Sequence, residues 1–143
     1  MKMNNVSAID VGKFFYDKNN NFTSKQIQKL TYYSYVWYMI KYKNENKKIF
    51  EEKPQAWIHG PVFNSLYASM RSGVFFSHQA CSFEEDIKEI LELVYKIYGK
   101  YTGNQLEKMT HQDDPWIKAR GDLESYEPSR MEISDRDILE YYS

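Results

Sequence analysis

Residues 23–43, TSKQIQKLTYYSYVWYMIKYK, carry the clearest helical pattern in the chain. The stretch opens with a capping box, in which the Thr23 oxygen can accept an early helical N–H while Gln26 reaches back. Apolar residues then recur at helical spacing, and additional tyrosines make the predicted helix aromatic nearly all round. We therefore expect a central helix that several elements contact, ending near Lys43 or Asn44.

Shorter helices are predicted on both sides of this one. Capping residues, 3.6-residue apolar spacing and terminal glycines indicate their ends. Ser82 opens one through a capping box, Asp114 is the predicted N-cap of a brief one, and Gly73 is a predicted left-handed stop. The predicted segments are 7–18, 61–73, 82–99, 102–112, 116–120 and a last helix from 134, with a loop at 122–131.

A small β-hairpin is predicted between the second and third helices. Segments 47–50 and 55–58 are short extended candidates, and the four residues between them suit a tight connection. Pro61 then fits the first position of the third helix, where its missing N–H costs nothing. The predicted fold is mainly α, a compact bundle of about six helices with this hairpin.

Composition limits the classes of function. The chain has 143 residues, 42% of them hydrophobic and 27% charged, which fits one folded domain over 1–143 and not a disordered chain. The formal net charge is only -1, and no long basic block or helix-turn-helix recognition face is evident. Nucleic acid is therefore an unlikely partner, although operator binding together with another protein stays open.

Cysteine content and the lengths of apolar segments indicate the cellular compartment. Cys81 is the only cysteine and cannot form an internal disulfide, which favours a reducing environment. The first five residues lead into a polar segment without the apolar stretch of a signal peptide, and the apolar run 32–40 is too short to span a bilayer. We expect a cytoplasmic protein with no membrane partner.

Three histidines invite a catalytic or metal hypothesis. No two of them lie four residues apart on a helix, and neither a Cys-x-x-Cys nor a His-Glu-x-x-His motif occurs, so we predict no metal and no cofactor. His111 and Asp113 could form a general base, but a helix end followed by an N-cap explains the same residues. A hydrolase or nuclease, with or without a metal, using His59, His111 and Asp113 is the alternative to a binding protein.

Three sequence blocks together carry a family resemblance. They are 27–33 with its Lys-Leu-x-Tyr-Tyr pattern, 56–62 with Trp-x-x-Gly-Pro-Val, and 106–116 with Thr-His followed by Pro-Trp. In this order they resemble the Panacea antitoxin domain, which includes phage-associated GepA-like proteins and SocA-like antitoxins. His59 stands where many members carry tyrosine, and Gln55 where an acidic residue is common. The resemblance runs over nearly the whole chain.

The resemblance implies a mainly helical protein that is not an enzyme and that neutralises a cognate toxin, expected from an adjacent gene. It also implies a possible proteolytic adaptor, since at least one relative delivers its toxin to a protease. The expected structural turn is Gly60 and Pro61. Trp57 and Trp116 could equally close the core, His59 could orient the turn, and Tyr33 and His111 are open to either interpretation. The candidate partner-binding residues are Tyr33, Trp57, His59, His111 and Trp116.

Overall fold

A computed structural model describes residues 5–143 of the chain. Met1–Asn4 lie outside the described residues. The start of the predicted 1–143 domain and most of the polar N-terminal segment therefore lie outside them too. The described part consists of seven α-helices and a two-stranded antiparallel hairpin. The elements are α1 (Ala8–Lys18), α2 (Ser24–Lys41), β1 (Gln55–Trp57), β2 (Gly60–Val62), α3 (Asn64–Ser72), α4 (Glu85–Tyr98), α5 (Gly103–Thr110), α6 (Asp114–Arg120) and α7 (Asp135–Tyr142).

The predicted mainly α fold, with a hairpin between the second and third helices, is confirmed. Short 3₁₀ turns at Lys43–Glu45 and Val74–Ser77 follow α2 and α3. One apolar core draws residues from Val6 to Ile138. Among the described helices, none combines the length and the apolar character that a bilayer crossing requires.

Helix α2 is the central element, as its all-round aromatic pattern predicted. It packs against α1, α3, α4, α5, α7 and β2. Tyr32, Tyr35 and Tyr38 are each at most 1% exposed, so their hydroxyls need partners inside the protein. Each hydroxyl donates to a carboxylate on another element, and the acceptors are Asp113, Asp135 and Asp86. The rings of α2 therefore supply both core volume and polar links between helices.

The first predicted strand, 47–50, is wrong. Ile49 and Phe50 are successive residues that both enter the core, at 1% and 6% exposure, whereas a strand would turn them to opposite faces. The partner of β1 is instead β2, in a register that pairs Trp57 with Gly60. The other edge of β1 meets residues 131–133, through N–H···O bonds of 2.8 Å from Ala56 to Met131 and from Ile133 to Pro54.

The predicted helix start at Pro61 is also wrong. Pro61 lies within β2, and α3 begins three residues later at Asn64. The cause is a long-range contact, because the Gln28 side chain binds both backbone groups of Phe63. Its Oε1 accepts from the Phe63 N–H at 2.9 Å, and its Nε2 donates to the Phe63 carbonyl at 3.2 Å. This pair holds the chain extended up to the first residue of α3.

Local helix signals were more accurate. Both backbone–side-chain bonds of the predicted capping boxes form at Thr23 and at Thr102, and Gly73 ends α3 at φ 89°. The predicted box at Ser82 is wrong, since α4 begins at Glu85. The segment that leads into α4 is held to α1 by the hydrogen bond from the Cys81 N–H to the Asp10 carboxylate. The N-cap of α6 is Asp113 and not the predicted Asp114.

Candidate functional site

Three successive carbonyls of the hairpin, those of residues 56–58, are bound by side chains from α6 and from the C-cap of α5. Arg120, Trp116 and His111 donate to them in turn, at 3.1, 2.9 and 2.9 Å. The His111 ring also stacks on Trp116, with centroids 4.5 Å apart. We call these three side chains the carbonyl clamp. They supply side-chain donors to backbone acceptors at the end of β1 and in the turn that follows it.

The far strand of the hairpin is held from α2. The Lys29 Nζ donates to the Pro61 carbonyl at 3.3 Å. Gly60 has a φ of 111°, and a Cβ there would stand 2.5 Å from the Thr110 Oγ1 and 2.7 Å from the Lys29 Cε. Glycine is therefore required both by backbone conformation and by the close approach of α2 and α5. The three sequence blocks meet at this point in space.

The hairpin turn consists of Ile58 and His59, since Trp57 pairs with Gly60. The exposed His59 ring places its Nδ1 3.0 Å from a Glu107 carboxylate oxygen, and the Lys25 Nζ lies 2.5 Å from the other oxygen. Burial by itself would raise the pKa of Glu107, but the hydrogen bonds from Lys25 and His59 outweigh it and lower that pKa to about 2. The turn is thus tied to α5 by an ionised carboxylate.

Beside the hairpin lies a cleft of about 680 Å³, bounded by α2, the hairpin, α3, the Val74–Ser77 turn and residues 128–130. Its size falls in the range of ordinary ligand pockets. Its walls carry aliphatic and aromatic side chains from each of these helices. Apart from tyrosines, the ionisable residues that line it are all basic: Lys25, Lys29, His59, Arg71 and Arg130.

Trp57 forms part of the cleft wall. Its indole is half-buried, and its Nε1 donates to the Gln55 side chain at 2.8 Å. The Tyr67 ring packs edge-on against it with centroids 4.8 Å apart, while the Arg130 guanidinium lies 5.2 Å from the indole centre. This neighbourhood fixes the ring orientation and leaves part of the ring open to the cleft.

The structure brings four of the five predicted contact residues together around the hairpin. Trp57 and His59 line the cleft, whereas His111 and Trp116 belong to the carbonyl clamp, and Trp116 is only 8% exposed. Tyr33 is separate: it is 4% exposed and stacks on the Tyr98 ring at 4.1 Å.

Several site residues were missed from the sequence. Lys29 stands inside the first block, where its position next to an aromatic run was the available signal. Gln28 and Arg120 bind backbone groups far away along the chain, which no local pattern shows. Arg71 and Arg130 belong to segments without any recognised motif, so their meeting at one cleft follows from the fold alone.

The residues of the alternative catalytic hypothesis do not form one hydrogen-bonded unit in the described chain. His59 and His111 both approach Glu107, at 3.0 and 3.7 Å. Asp113 instead accepts from the hydroxyls of Tyr32, at 3.1 Å, and Tyr142, and burial raises the pKa of Asp113 despite these bonds. Within residues 5–143, no group of three histidine, cysteine or acidic side chains could hold a metal ion.

A cysteine, a histidine and an aspartate do meet elsewhere. One Asp10 oxygen lies 2.7 Å from the His78 Nε2 and accepts from the Cys81 N–H at 3.2 Å. Burial, and then the Asp10 charge, raise the pKa of the Cys81 thiol to about 11. The thiol is therefore protonated near neutral pH, which is the opposite of what a cysteine nucleophile requires.

A family model described as Antitoxin SocA-like, Panacea domain matches residues 27–117. That range is more than half of the chain, and it contains the hairpin, His111 and Trp116 of the clamp, and the α3 wall of the cleft. No curated protein and no solved structure gives a significant match.

Proposed function

The chain belongs to the SocA-like antitoxin family of Panacea domains, and we propose that it neutralises a cognate protein toxin by direct contact, without catalysis of its own. The observation that carries the proposal is the family match across both the hairpin and the cleft wall. We further propose that residues 1–143 form one such domain, that it acts in the cytoplasm, and that an adjacent gene encodes the toxin.

We assign the toxin contact to the cleft face of the hairpin. Trp57 and His59 are the two candidate contact residues that line the cleft, and Trp57 offers a half-buried ring of the kind that anchors interfaces. We propose that His111 and Trp116 contribute indirectly, by fixing the hairpin backbone that presents those two side chains. Tyr33, stacked on Tyr98, supports the position of α2.

The test is coexpression with the product of each neighbouring gene, each under a separately inducible promoter. We expect one neighbour to arrest growth, this chain to restore it, and the two proteins to copurify. Trp57→Ala should weaken rescue, while Leu93→Ala, a change at an exposed apolar residue away from the cleft, should not. The proposal fails if no neighbour is toxic, or if a toxic neighbour is neither rescued nor bound.

Steric masking and delivery to a protease predict different fates for the toxin. Masking leaves the lifetime of the toxin unchanged or longer, whereas an adaptor shortens it. A chase of tagged toxin after synthesis is stopped, with and without this chain, separates the two. A shorter lifetime only in cells that contain the chain supports the adaptor role, and an unchanged or longer lifetime supports masking.

A further inference from the structure

The charge of the cleft is one-sided. Of its five basic residues, Lys25 and His59 are paired with Glu107. The other three, Lys29, Arg71 and Arg130, form no ion pair with any residue in the described range 5–143. An apolar cleft with three cations that lack carboxylate partners is complementary to an occupant that is both apolar and acidic.

Lys29 is the deepest of these cations. It is 2% exposed, and its Nζ hydrogen bond is the 3.3 Å contact to the Pro61 carbonyl. Burial is the main cause that lowers the pKa of Lys29 to about 7. The Glu107 charge opposes this shift, and the Lys25 charge adds to it. A buried ammonium with one long hydrogen bond is unfavourable, and a nearby anion would offset that cost.

The two arginines are exposed at the cleft, where a partner can reach them. Arg71 has a 3.5 Å contact with the Tyr67 hydroxyl, and Arg130 has a 3.4 Å contact with the Asn64 side chain. Both contacts are at or near the long end of hydrogen bonding. A carboxylate could therefore bind either guanidinium in bidentate fashion without breaking a strong internal bond.

Apolar surface adjoins these charges. Phe76 lines the cleft and is 53% exposed, and Tyr67 beside Trp57 is 39% exposed. Ile27, Val62 and Met70 add aliphatic walls to the same cleft. Such walls suit leucine-like or phenylalanine-like side chains better than the polar edges of nucleobases, and the chain as a whole carries a net charge of -1, which does not attract a polyanion.

We infer that the cleft receives an acidic amphipathic segment of the toxin, whose apolar side chains enter the cleft while its carboxylates face Arg71 and Arg130. When protonated, Lys29 adds positive potential beneath the segment. This inference rests on the proposed antitoxin function for the identity of the partner, and the chemistry of the occupant follows from the cleft itself.

The chemistry of the segment that binds the cleft is tested with a phage-displayed library of random peptides. The peptides are long enough to hold apolar anchors at i, i+3, i+4 and i+7. Selection on the full chain should enrich peptides that combine aspartate or glutamate with apolar residues at helical spacing. The double variant Arg71→Glu, Arg130→Glu should bind the selected peptides about tenfold more weakly or worse. Arg136→Glu, a charge reversal on α7 away from the cleft, is the matched control and should bind normally.

The link to the toxin is tested by competition and by charge exchange. A selected peptide should displace the toxin from the complex, and a toxin variant with lysine in place of the contacting acid should recover binding to the double arginine variant. Circular dichroism shows whether that variant is folded; if it is not, the single variants Arg71→Gln and Arg130→Gln replace it, each with an expected loss of severalfold.

Four results would overturn the inference. These are enrichment of neutral or basic peptides, retention of peptide binding by the arginine variants, failure of the peptide to displace a bound toxin, and arginine-dependent binding of a single-stranded RNA oligonucleotide in place of acidic peptides. If the toxin is neutralised and copurifies but the peptide does not compete, the cleft inference fails while the antitoxin function stands. If no neighbouring toxin is neutralised, the function fails whatever the peptides show.

Discussion

The two sides of the hairpin differ in what their basic and aromatic side chains bind. On the side of α5 and α6, the carbonyl clamp supplies a donor to each of three successive carbonyls. On the cleft side, Lys29, Arg71 and Arg130 lie around apolar walls without a carboxylate partner in the described chain. The donors of the clamp are used within the fold, whereas the three cleft cations have no carboxylate partner among the described residues, and this contrast is why we propose the cleft side as the partner-binding side.

Substitution should therefore act on different quantities on the two sides. A change on the clamp side removes bonds that the folded state already has, so it lowers the free energy of unfolding. A change at an exposed cleft residue mainly removes contacts that form in a complex, so it lowers affinity with little effect on stability. Gly60 and Lys29 are buried between the two sides, so changes there act on stability as well. Four predictions follow this division, from the largest effect on stability to the smallest.

Gly60→Ala should be the most destabilising. It combines a left-handed backbone with a Cβ 2.5 Å from the Thr110 Oγ1, so we expect a loss of about 3 kcal/mol or more in the free energy of unfolding. Gly73→Ala is the matched control, since Gly73 has a φ of 89° but nothing within 4 Å of its Cβ position. It should cost about 1 kcal/mol. Urea unfolding of both variants measures the difference, and equal losses would contradict the close-approach account.

Trp116→Phe removes the indole N–H and leaves the Trp57 carbonyl without that donor. We expect a loss of about 1–2 kcal/mol in unfolding free energy and weaker toxin binding, because the hairpin is no longer fixed. Trp37→Phe is the control, since the Trp37 Nε1 donates to the Tyr98 hydroxyl and does not touch the hairpin. Its loss of stability should be similar, with toxin affinity retained. Equal effects of both variants on affinity would remove the special role of the clamp.

Lys29→Met tests the buried ammonium through pH. The pKa of Lys29 is lowered to about 7 in the folded chain, from an ordinary value of 10.5, so between these values the unfolded chain binds more protons. Stability should therefore rise with pH above about 7, by up to about 1.4 kcal/mol per pH unit from this group. Glu107 and Lys25 are the charges that act on Lys29 and are unchanged in the variant.

The variant should lack this rise and should be at least as stable as the parent chain at pH 7. Lys48→Met, which removes a partly exposed cation paired with Asp135, is the control that should keep the rise. Urea midpoints at pH 7, 8 and 9 give the comparison. The same slope in the parent chain and in Lys29→Met would show that Lys29 is not the group responsible.

Phe76→Ser should have the smallest effect on stability and a clear effect on binding. The ring is 53% exposed at the cleft but has edge contacts with Tyr16 and Phe75, so we expect a loss of at most about 1 kcal/mol in unfolding free energy. Toxin affinity should fall about tenfold, since a buried aromatic contact is lost from the complex. Leu93→Ser, at 48% exposure outside the cleft, should alter neither quantity. Calorimetric titration of the toxin would measure the affinities.

Sequence reasoning succeeded where the cause of structure is local. The capping boxes at Thr23 and Thr102 are complete within four residues, and the aromatic pattern of 24–41 shows directly that this helix is surrounded. Prediction from sequence failed where the backbone conformation depends on a side chain that is distant along the chain. The strand that follows Trp57 depends on Gln28 binding Phe63, and no pattern within 55–63 indicates that bond.

The candidate site divides in the same way. Trp57 and His59 could be singled out because the Gly60-Pro61 step marks the turn beside them. The cleft could not be predicted, because Arg71 and Arg130 come from separate segments and meet only after folding. Lys29 belongs to the first sequence block, but nothing local shows that it is buried, with its Nζ bound to the Pro61 carbonyl of the hairpin.

The most direct test of the central claim is amide hydrogen exchange of the chain alone and in complex with its toxin. We expect the toxin to slow exchange at 57–60, 67–77 and 128–130, which border the cleft, and to leave exchange in α6 and α7 unchanged. Slowed exchange confined to α6 and α7, with the cleft segments unaffected, would contradict it.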